Sequence, residues 1–484
     1  MANRTLYRLC LPPVLMLLFA VPIAAQTSDR PNILFILLDD LGWKDAGYAG
    51  SDFYQTPNID QLAATGMIFT DAYSAAANCA PARACLLSGQ YTPRHQIYNV
   101  GTKLRGNPKF SRLKHVPGTK TLDPKIITWA ERIQKANYKT AIMGKWHLSD
   151  DPLPYGFDIN IGGTHAGSPP KGYFPPNKVP GLKDSPKGEY LTDRLHDEAL
   201  DFIEENRSQP WCLFLSHFSV HTPLQAKRQL VEKFDRLPKG THQRSAVMAA
   251  MIQSVDEGVG RLVKKLDELQ LREKTAIVFY SDNGGYGPAT SMHPLRGSKG
   301  SYYEGGIRVP FFVVWPGVVK AESKCQIPVT GVDFYLTLCD IAQADPPEGQ
   351  VCDGVSLLPL IKDTGNWQPR SIFWHFPAYL QSYSGAKANI ERQRDPLFRS
   401  RPVSVIRDGD WKLMEFFEDG TLELYNLSDD IGESKNLADS NPQKLAELHE
   451  KLKLWRAKTK APIPTEPNPR FDATAEAKAI LRAK

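Results

Sequence analysis

The sequence predicts an α/β protein in which a large, mostly parallel sheet is flanked by helices and followed by a small antiparallel sheet with a packed helix. Four apolar runs alternate with helix-like stretches such as TWAERIQKA (128–136). The runs are NILFILL (32–38), TAIM (140–143), WCLFLSHF (211–218) and TAIVFYS (275–281). They lack the strict alternation of a half-exposed strand, which is typical of strands covered on both faces, and the intervening helices suit βαβ units.

The character of the sequence changes after about residue 365. SIFWHFPAYL (371–380) and the stretch 402–427, which contains two Asp-Gly pairs, read as strands joined by hairpin turns. The stretch 442–458 has helical periodicity, and the proline-rich stretch 461–472 is expected to be irregular and on the surface. We therefore predict a main domain over 26–365, which carries the chemistry discussed below, and a small C-terminal subdomain with a tail over 366–484.

The first 25 residues are typical of a secretory signal peptide. Arg4 and Arg8 precede an apolar stretch from residue 14 to 21, and two small residues stand at 24 and 25. We therefore predict export to the periplasm or the medium. No later run reaches the ~20 apolar residues of a membrane span, so no membrane association is expected. A formal net charge of +6 without a basic block argues against binding to nucleic acid.

Beyond residue 25 the chain has six cysteines, whose spacing matches no zinc pattern and is too sparse for a disulfide framework. Cys339 and Cys352 are candidates for one disulfide in an oxidising compartment. Cys212 lies within an apolar run and is predicted to be a small buried hydrophobic residue.

Acidic or amide pairs stand directly after two of the predicted strands. Asp39 and Asp40 follow the first run, and Asp282 and Asn283 follow the fourth. Each pair alone has a plainer explanation, since the first could cap a helix and the second could form a turn. The carboxyl ends of parallel strands meet at one edge of a sheet, where ligands bind, so we expect the pairs to converge. Four oxygen ligands with up to three negative charges favour calcium, with magnesium as the second choice.

Basic side chains and histidines follow the other strands. Lys145 and His147 stand in GKWH, His221 stands in VHTP, and Lys299 lies in the glycine-rich loop RGSKGSYYEGGIRVP. A lone histidine is more often a structural hydrogen-bonding group than a catalyst, and a loop lysine is usually solvated. Gathered beside a divalent cation, however, these groups would hold an oxyanion and protonate a leaving group.

The segment NCAPARACLLSG (78–89) raises the question of what its first cysteine does. Pro81 suits the first turn of a helix, so Cys79 should lie near the N-cap, with Arg83 one turn in and facing the same opening. The thiol could be half of a disulfide, a buried core group or a catalytic group. Only three residues separate Cys79 from Arg83, which is too short for a thiolate phosphatase loop that encircles a phosphate.

Cys79, Pro81 and Arg83, followed by Ser88 and Gly89, resemble the signature of type I sulfatases, in which the cysteine is oxidised to formylglycine. Ala82 and Ser88 differ from the residues that are frequent there, but neither change removes a reacting group. The similarity extends through DD (39–40), GKWH (144–147), HTP (221–223), DNG (282–284), GSKGSYYEGGIRVP (297–310) and LYNLSDDIGESKNLA (424–438).

The resemblance implies an alkaline-phosphatase-like fold and a calcium ion held by Asp39, Asp40, Asp282 and Asn283. It implies that the formylglycine hydrate at position 79 attacks sulfur, while His221 and Lys299 grip the sulfate and protonate the leaving sugar or aryl alcohol. His147 would deprotonate the second hydroxyl of the hydrate and so release the sulfate. Arg83 and Lys145 would orient the hydrate. A formylglycine-generating or other maturase would act on residue 79 in an extended, accessible segment.

Two stretches are candidates for substrate contacts. The glycine- and proline-rich loop 155–176 could form a rim that includes His165, and Trp374 with His375 could supply a sugar-binding wall. Both stretches could instead pack the domain junction. The loops resemble those of bacterial carbohydrate sulfatases in the arylsulfatase A-like branch, which suggests a galactose or N-acetylgalactosamine sulfate. The alternatives are a phosphomonoesterase or phosphonate hydrolase on the same scaffold, or a non-catalytic binder of sulfated glycans if Cys79 stays a thiol.

Overall fold

The computed structural model describes residues 1–2, 30–176, 178–182, 186–383, 394 and 396–483. Apart from its first two residues, the predicted signal peptide lies outside these ranges. The strands are β1 Asn32–Leu38, β2 Met67–Phe69, β3 Ala72–Tyr73, β4 Lys139–Gly144, β5 Ile159–Ile161, β6 Trp211–Ser216, β7 Thr275–Ser281, β8 Phe311–Val314, β9 Ser323–Cys325, β10 Val329–Thr330, β11 Ser371–Phe376, β12 Leu380–Gln381, β13 Phe398–Ser400, β14 Val403–Asp408, β15 Trp411–Phe416 and β16 Leu422–Asn426.

Helices lie between and after these strands. They are α1 Pro57–Ala64, α2 Cys79–Ser88, α3 Thr92–His95, α4 Trp129–Lys135, α5 Leu191–Glu205, α6 Arg228–Arg236, α7 Ala246–Glu268, α8 Glu304–Ile307, α9 Phe334–Ala342, α10 Leu358–Ile361, α11 Pro442–Thr459 and α12 Ala473–Ala483. No helix in the described ranges is long and apolar enough to cross a membrane.

A mixed, mostly parallel sheet of eight strands forms the centre of the molecule, in the order β5-β4-β6-β1-β7-β8-β2-β9. The five strands from β5 to β7 are parallel to one another, and β8 runs antiparallel to both of its neighbours. All four apolar runs of the sequence form strands of the parallel portion. The predicted fold class is therefore confirmed.

Helices cover both faces of this sheet, which explains the unbroken apolarity of its strands. Ile33, Phe35 and Leu37 of β1 face a core shared with α4 and α9. The alternate residues of β1 face a second core, shared with α1, α5, α6 and α7. Both side-chain sets of one strand are thus buried, and the polar groups that follow it stand at the sheet edge.

A four-stranded antiparallel sheet, β11-β14-β15-β16, follows in the sequence. Ile406 and Leu413 pack one of its faces against Leu448 of α11, whereas Trp374 and Val405 pack the other against Tyr73 of the main sheet region. The Asp-Gly pairs lie in the two hairpin connections, as predicted. The short pair β12 and β13 extends from this region toward the carboxyl edge of the large sheet, next to the site described below.

Candidate active site

The two acidic or amide pairs meet at the carboxyl edge of the central sheet. Asp39 follows β1 and Asp282 follows β7, and these strands are direct neighbours. The backbone N–H of Asp282 donates to the carbonyl of Leu38 at 3.0 Å, and the Asp40 N–H donates to Oδ1 of Asp282 at 3.3 Å. The Asn283 amide donates to Oδ1 of Asp40 at 2.7 Å. The structure therefore brings these four side chains together at one edge of the sheet.

Three cationic side chains converge on the three carboxylates of these residues. The three ion pairs that they form are almost completely buried. Lys145 Nζ lies 2.5 Å from Oδ2 of Asp39, and Lys299 Nζ lies 2.7 Å from Oδ1 of Asp40. Arg83 Nε lies 2.8 Å from Oδ2 of Asp282. Each carboxyl group of the cluster therefore has one basic partner.

The cluster retains buried oxygen atoms without hydrogen-bond partners among the described residues, namely Asp39 Oδ1 and Asn283 Oδ1. Burial and the charges of Asp282 and Asp40 raise the pKa of Asp39, although Lys145 is adjacent. Burial alone would raise the pKa of Asp40 as well, but Lys299 and His221 hold it below the usual range. Unpartnered hard oxygens and crowded carboxylates fit a divalent cation. Single ligand atoms of Asp39, Asp40 and His221 lie within 4.8 Å of one another.

Cys79 occupies the first position of α2, and Asn78 is the N-cap. The helix begins two residues before Pro81, slightly earlier than predicted, and every residue of it is buried. The Cys79 side chain lines the cavity described below although the residue is only 2% exposed. The expectation of an extended, accessible segment is therefore wrong for the folded protein, because residue 79 lies in a buried helical turn. Arg83 follows one turn later and also donates to the Lys145 carbonyl at 2.7 Å.

Two histidines line the cavity beside the cluster, and both are held neutral near pH 7. Burial and the charges of Lys145 and Arg83 lower the pKa of His147 well below its usual range. Burial and Lys299 lower the pKa of His221 to about 3. His221 is oriented by a 2.8 Å contact between Nδ1 and the Thr222 carbonyl, and its Nε2 lies 3.8 Å from Asp40. The backbone of Gly167 covers the His147 ring so closely that an added Cβ would lie 2.7 Å from Cε1.

A cavity of about 400 Å³ opens over Cys79, Asp40, His147, His221 and Lys299. Its remaining wall contains residues that sequence reasoning missed, among them Arg105, Tyr286, Gln381, Tyr383 and Arg399. Tyr286 stands two residues after the DNG motif (282–284) and could have been found from that proximity. The other four come from distant loops or short strands, and no sequence signal marks them.

The predicted substrate wall of Trp374 and His375 is wrong, because both residues are buried in the subdomain packing. Trp374 Nε1 donates to the Ser74 carbonyl at 2.7 Å. His375 contacts Ser404 Oγ through Nδ1 and the Pro462 carbonyl through Nε2. These contacts match the alternative that the stretch packs the domain junction.

The loop 155–176 does reach the cavity, but Gly167 and Ser168 line it rather than His165. The His165 ring instead stands 6.3 Å from the His147 ring, centroid to centroid. The disulfide considered between Cys339 and Cys352 is absent, since both are free thiols. Cys212 is fully buried in the core, as predicted.

Comparison with known proteins points to one family. Residues 31–344 match the sulfatase family model, and residues 298–459 match the model of the N-sulphoglucosamine sulphohydrolase C-terminal region. A sulfatase of Formosa agariphila is 31% identical, with 90% of this chain and 90% of that protein covered. The N-acetylgalactosamine-6-sulfatase of Mus musculus is 31% identical, with 73% of this chain and 70% of that protein covered.

A solved structure is similar over nearly the whole chain. The crystal structure of Ps i-CgsB in complex with k-i-k-neocarrahexaose has 30% sequence identity and a TM-score of 0.72. The match covers 94% of this chain and 97% of the Ps i-CgsB chain. The sulfatase model spans more than half of the sequence, and the same residues form the large sheet and its polar edge. This chain therefore belongs to the type I sulfatase family, has its alkaline-phosphatase-like fold, and is a hydrolase of sulfate esters.

Proposed function

We propose that the protein is an exported carbohydrate sulfatase that uses formylglycine at position 79 and a calcium ion held by Asp39, Asp40, Asp282 and Asn283. The observation that carries the proposal is that Cys79, Asp40, the two histidines and Lys299 line one cavity. The other three ligands cluster with Asp40 at its edge. Such a set of side chains serves no packing purpose, because the buried charges would be costly in an ordinary core.

The donor set supports calcium as the cation, with magnesium as the second choice. All four residues offer oxygen, the donor that both cations prefer, and two of those oxygens lack any other described partner. When bound, the cation supplies Lewis-acid polarisation of the sulfate. Lys145, Lys299 and Arg83 hold the ligands in place, since each is hydrogen-bonded to one carboxylate.

Formylglycine, as its hydrate, supplies the hydroxyl that attacks sulfur and a second hydroxyl whose deprotonation releases the sulfate. Because residue 79 is buried after folding, we expect the maturase to act before the chain has folded. His147 is neutral, lines the cavity and has a buried Nδ1 with no described partner, which suits a proton acceptor.

Lys299 and His221 suit sulfate binding and proton donation to the leaving alcohol. Burial alone would lower the pKa of Lys299, but the adjacent carboxylate of Asp40 raises it, so the ammonium stays charged. His221 is neutral in the free site, and an arriving sulfate adds negative charge beside its ring. That charge raises the pKa of His221 and favours the protonated form, which can then give its proton to the departing oxygen.

The proposed substrates are sulfate esters of galactose or N-acetylgalactosamine units. Support comes from the curated relatives named N-acetylgalactosamine-6-sulfatase and from the neighbour crystallised with k-i-k-neocarrahexaose. Export is supported by the composition of residues 1–25. Arg4 and Arg8 precede an apolar stretch, which is followed by the small residues Ala24 and Ala25.

The test combines mass spectrometry of the peptide containing residue 79 with turnover of a panel of sulfated sugars and an aryl sulfate. We expect the mass of formylglycine in protein from the native host, calcium in the purified protein, and loss of all turnover in Cys79→Ala. Cys85→Ala is the matched control, because Cys85 lies on the same helix, is fully buried and does not line the cavity. Its turnover per folded molecule should match the wild type.

Two outcomes would contradict the proposal. An intact cysteine at position 79 in active native protein would exclude formylglycine chemistry. Faster hydrolysis of an aryl phosphate or phosphonate than of every sulfate ester would instead identify a phosphoryl or phosphonyl hydrolase.

A further inference from the structure

Two arginines from distant parts of the chain stand together in the wall of the active-site cavity. Arg105 comes from the long loop between α3 and α4, and Arg399 lies on β13. Both are tied to Gln381 of β12, whose N–H donates to the Arg105 carbonyl at 2.9 Å and whose carbonyl accepts from Arg399 Nε at 3.0 Å. The short strand β12 therefore sets the position of both residues.

The two guanidinium groups are held differently. Arg399 also donates from Nη1 to the Lys299 carbonyl at 3.2 Å, and its guanidinium lies 4.0 Å from the centre of the Tyr383 ring. Arg105 is partly buried, yet its side chain has no hydrogen bond or ion pair to any residue that the structure describes. Burial and the nearby charge of Arg399 lower the pKa of Arg105, which shows that the two cations repel each other. Arg105 is thus a fork of hydrogen-bond donors that lines the cavity without a partner among the described residues.

The charges around the cavity exceed what one sulfate ester requires. The charged residues that line it are Asp40, Arg105, Lys299 and Arg399. Asp40 and Lys299 form an ion pair and neutralise each other. Two positive charges therefore remain on one wall, and no acidic residue lines the cavity beside them within the described ranges. A sulfate monoester carries one negative charge, and the residues around position 79 already receive it.

The positive charges of Arg105 and Arg399, which one sulfate ester does not need, indicate what else the substrate carries. We infer that the substrate bears a second anionic group, a carboxylate or a further sulfate, and that Arg105 binds it together with Arg399. This inference rests on the proposed function, since it concerns the same cavity. The planar guanidinium fork of Arg105 matches a carboxylate or sulfate in two parallel hydrogen bonds. Tyr286 and Tyr383, whose ring centres are 5.0 Å apart, form the adjoining wall and can stack on the sugar between the two anions.

A binding experiment in the Cys79→Ala background tests the inference without turnover. The probes are galactose 6-sulfate with one anion, galactose 2,6-disulfate, and the disaccharide of a uronic acid with N-acetylgalactosamine 6-sulfate. Binding is measured by calorimetry at about 0.15 M salt, because the salt screens long-range attraction between the protein and the anionic probes. We expect a dianionic probe to bind more tightly than galactose 6-sulfate. Arg105→Gln should reduce that preference by about tenfold to a hundredfold, the range for hydrogen bonds to charged groups.

Two further variants separate a specific contact from general electrostatics. Lys103→Gln removes one positive charge from the same loop, but Lys103 is exposed and does not line the cavity, so the preference should persist. Arg105→Lys keeps the charge but loses the planar fork, and we expect a partial reduction. Preference for the disulfate or for the uronate disaccharide identifies which anion the subsite takes.

The inference is overturned if neither dianionic probe binds better than galactose 6-sulfate, or if Arg105→Gln leaves the preference unchanged. Failure of the proposed function gives a different result. In that case the Cys79-containing protein hydrolyses no sulfate ester, while the binding preference and its loss in Arg105→Gln remain measurable.

Discussion

Replacement of Arg83 by methionine tests the charge balance of the site most directly. Arg83 is 1% exposed and makes three hydrogen bonds, to Asp282 Oδ2 at 2.8 Å, to the Lys145 carbonyl at 2.7 Å and to Ser216 Oγ at 2.6 Å. Methionine fills most of the same space, so the main effect is the loss of a buried charge and its bonds. Removing one partner of a buried ion pair costs roughly 3–5 kcal/mol, because the other charge stays buried and unpaired.

The free energy of unfolding is measured by urea denaturation, once with a chelator and once with saturating calcium. With the chelator, we expect Arg83→Met to lose roughly 3–5 kcal/mol relative to the wild type. Three carboxylates then face only Lys145 and Lys299. With calcium, the loss should be smaller, because a divalent cation offsets the extra negative charge.

The matched control is Arg228→Met. Arg228 pairs with Glu232 at 2.7 Å, but its side chain is 91% exposed, so its removal should change the unfolding free energy by less than about 1 kcal/mol. The reasoning is refuted if Arg83→Met, measured with the chelator, unfolds within about 1 kcal/mol of the wild type.

Three further predictions follow from separate features. Chelation should abolish turnover and lower the melting temperature, because the buried carboxylates lose their cation, and calcium should restore both; full activity in a metal-free protein would exclude the metal site. Gly167→Ala should lower kcat by roughly tenfold, because the new Cβ would displace the His147 ring; an unchanged kcat would contradict that contact. Burial raises the pKa of Asp256 to about 6, so the folded state holds a proton that the unfolded state has released, and stability falls as the pH rises from about 4 to 6. Asp256→Asn should flatten this slope by about 1–3 kcal/mol in denaturation series, and an unaltered slope would assign the effect elsewhere.

The fold and the reactive centre could be predicted because they follow from local rules. Apolar runs without alternation identify buried parallel strands, and the residues after such strands must lie at one sheet edge. That rule alone brings Asp39, Lys145 and Asp282 together from positions more than a hundred residues apart. Cys79 needed one more signal, the motif shared with its family, because a thiol before a helix has several plain explanations.

The substrate wall could not be predicted, because its residues carry no local pattern. Trp374 and His375 look suited to a sugar, but Trp374 is buried against Tyr73 and Ser74, and His375 is buried on the opposite face against the Pro462 segment. Arg105 and Arg399 look like ordinary surface cations, and only the pairing of both with Gln381 brings them to the cavity. Which face of a short strand is covered depends on distant neighbours, not on the strand itself.

The sequence by itself determined the sheet, the set of ligands that follow its strands, and the reactive cysteine, because strand direction and chain order constrain where those side chains end up. Only the tertiary structure decided that Cys79 is buried and that two arginines line the same cavity without an acidic partner among the described residues. These properties arise from loops and short strands that meet in space, where burial and charge depend on the sum of all neighbours.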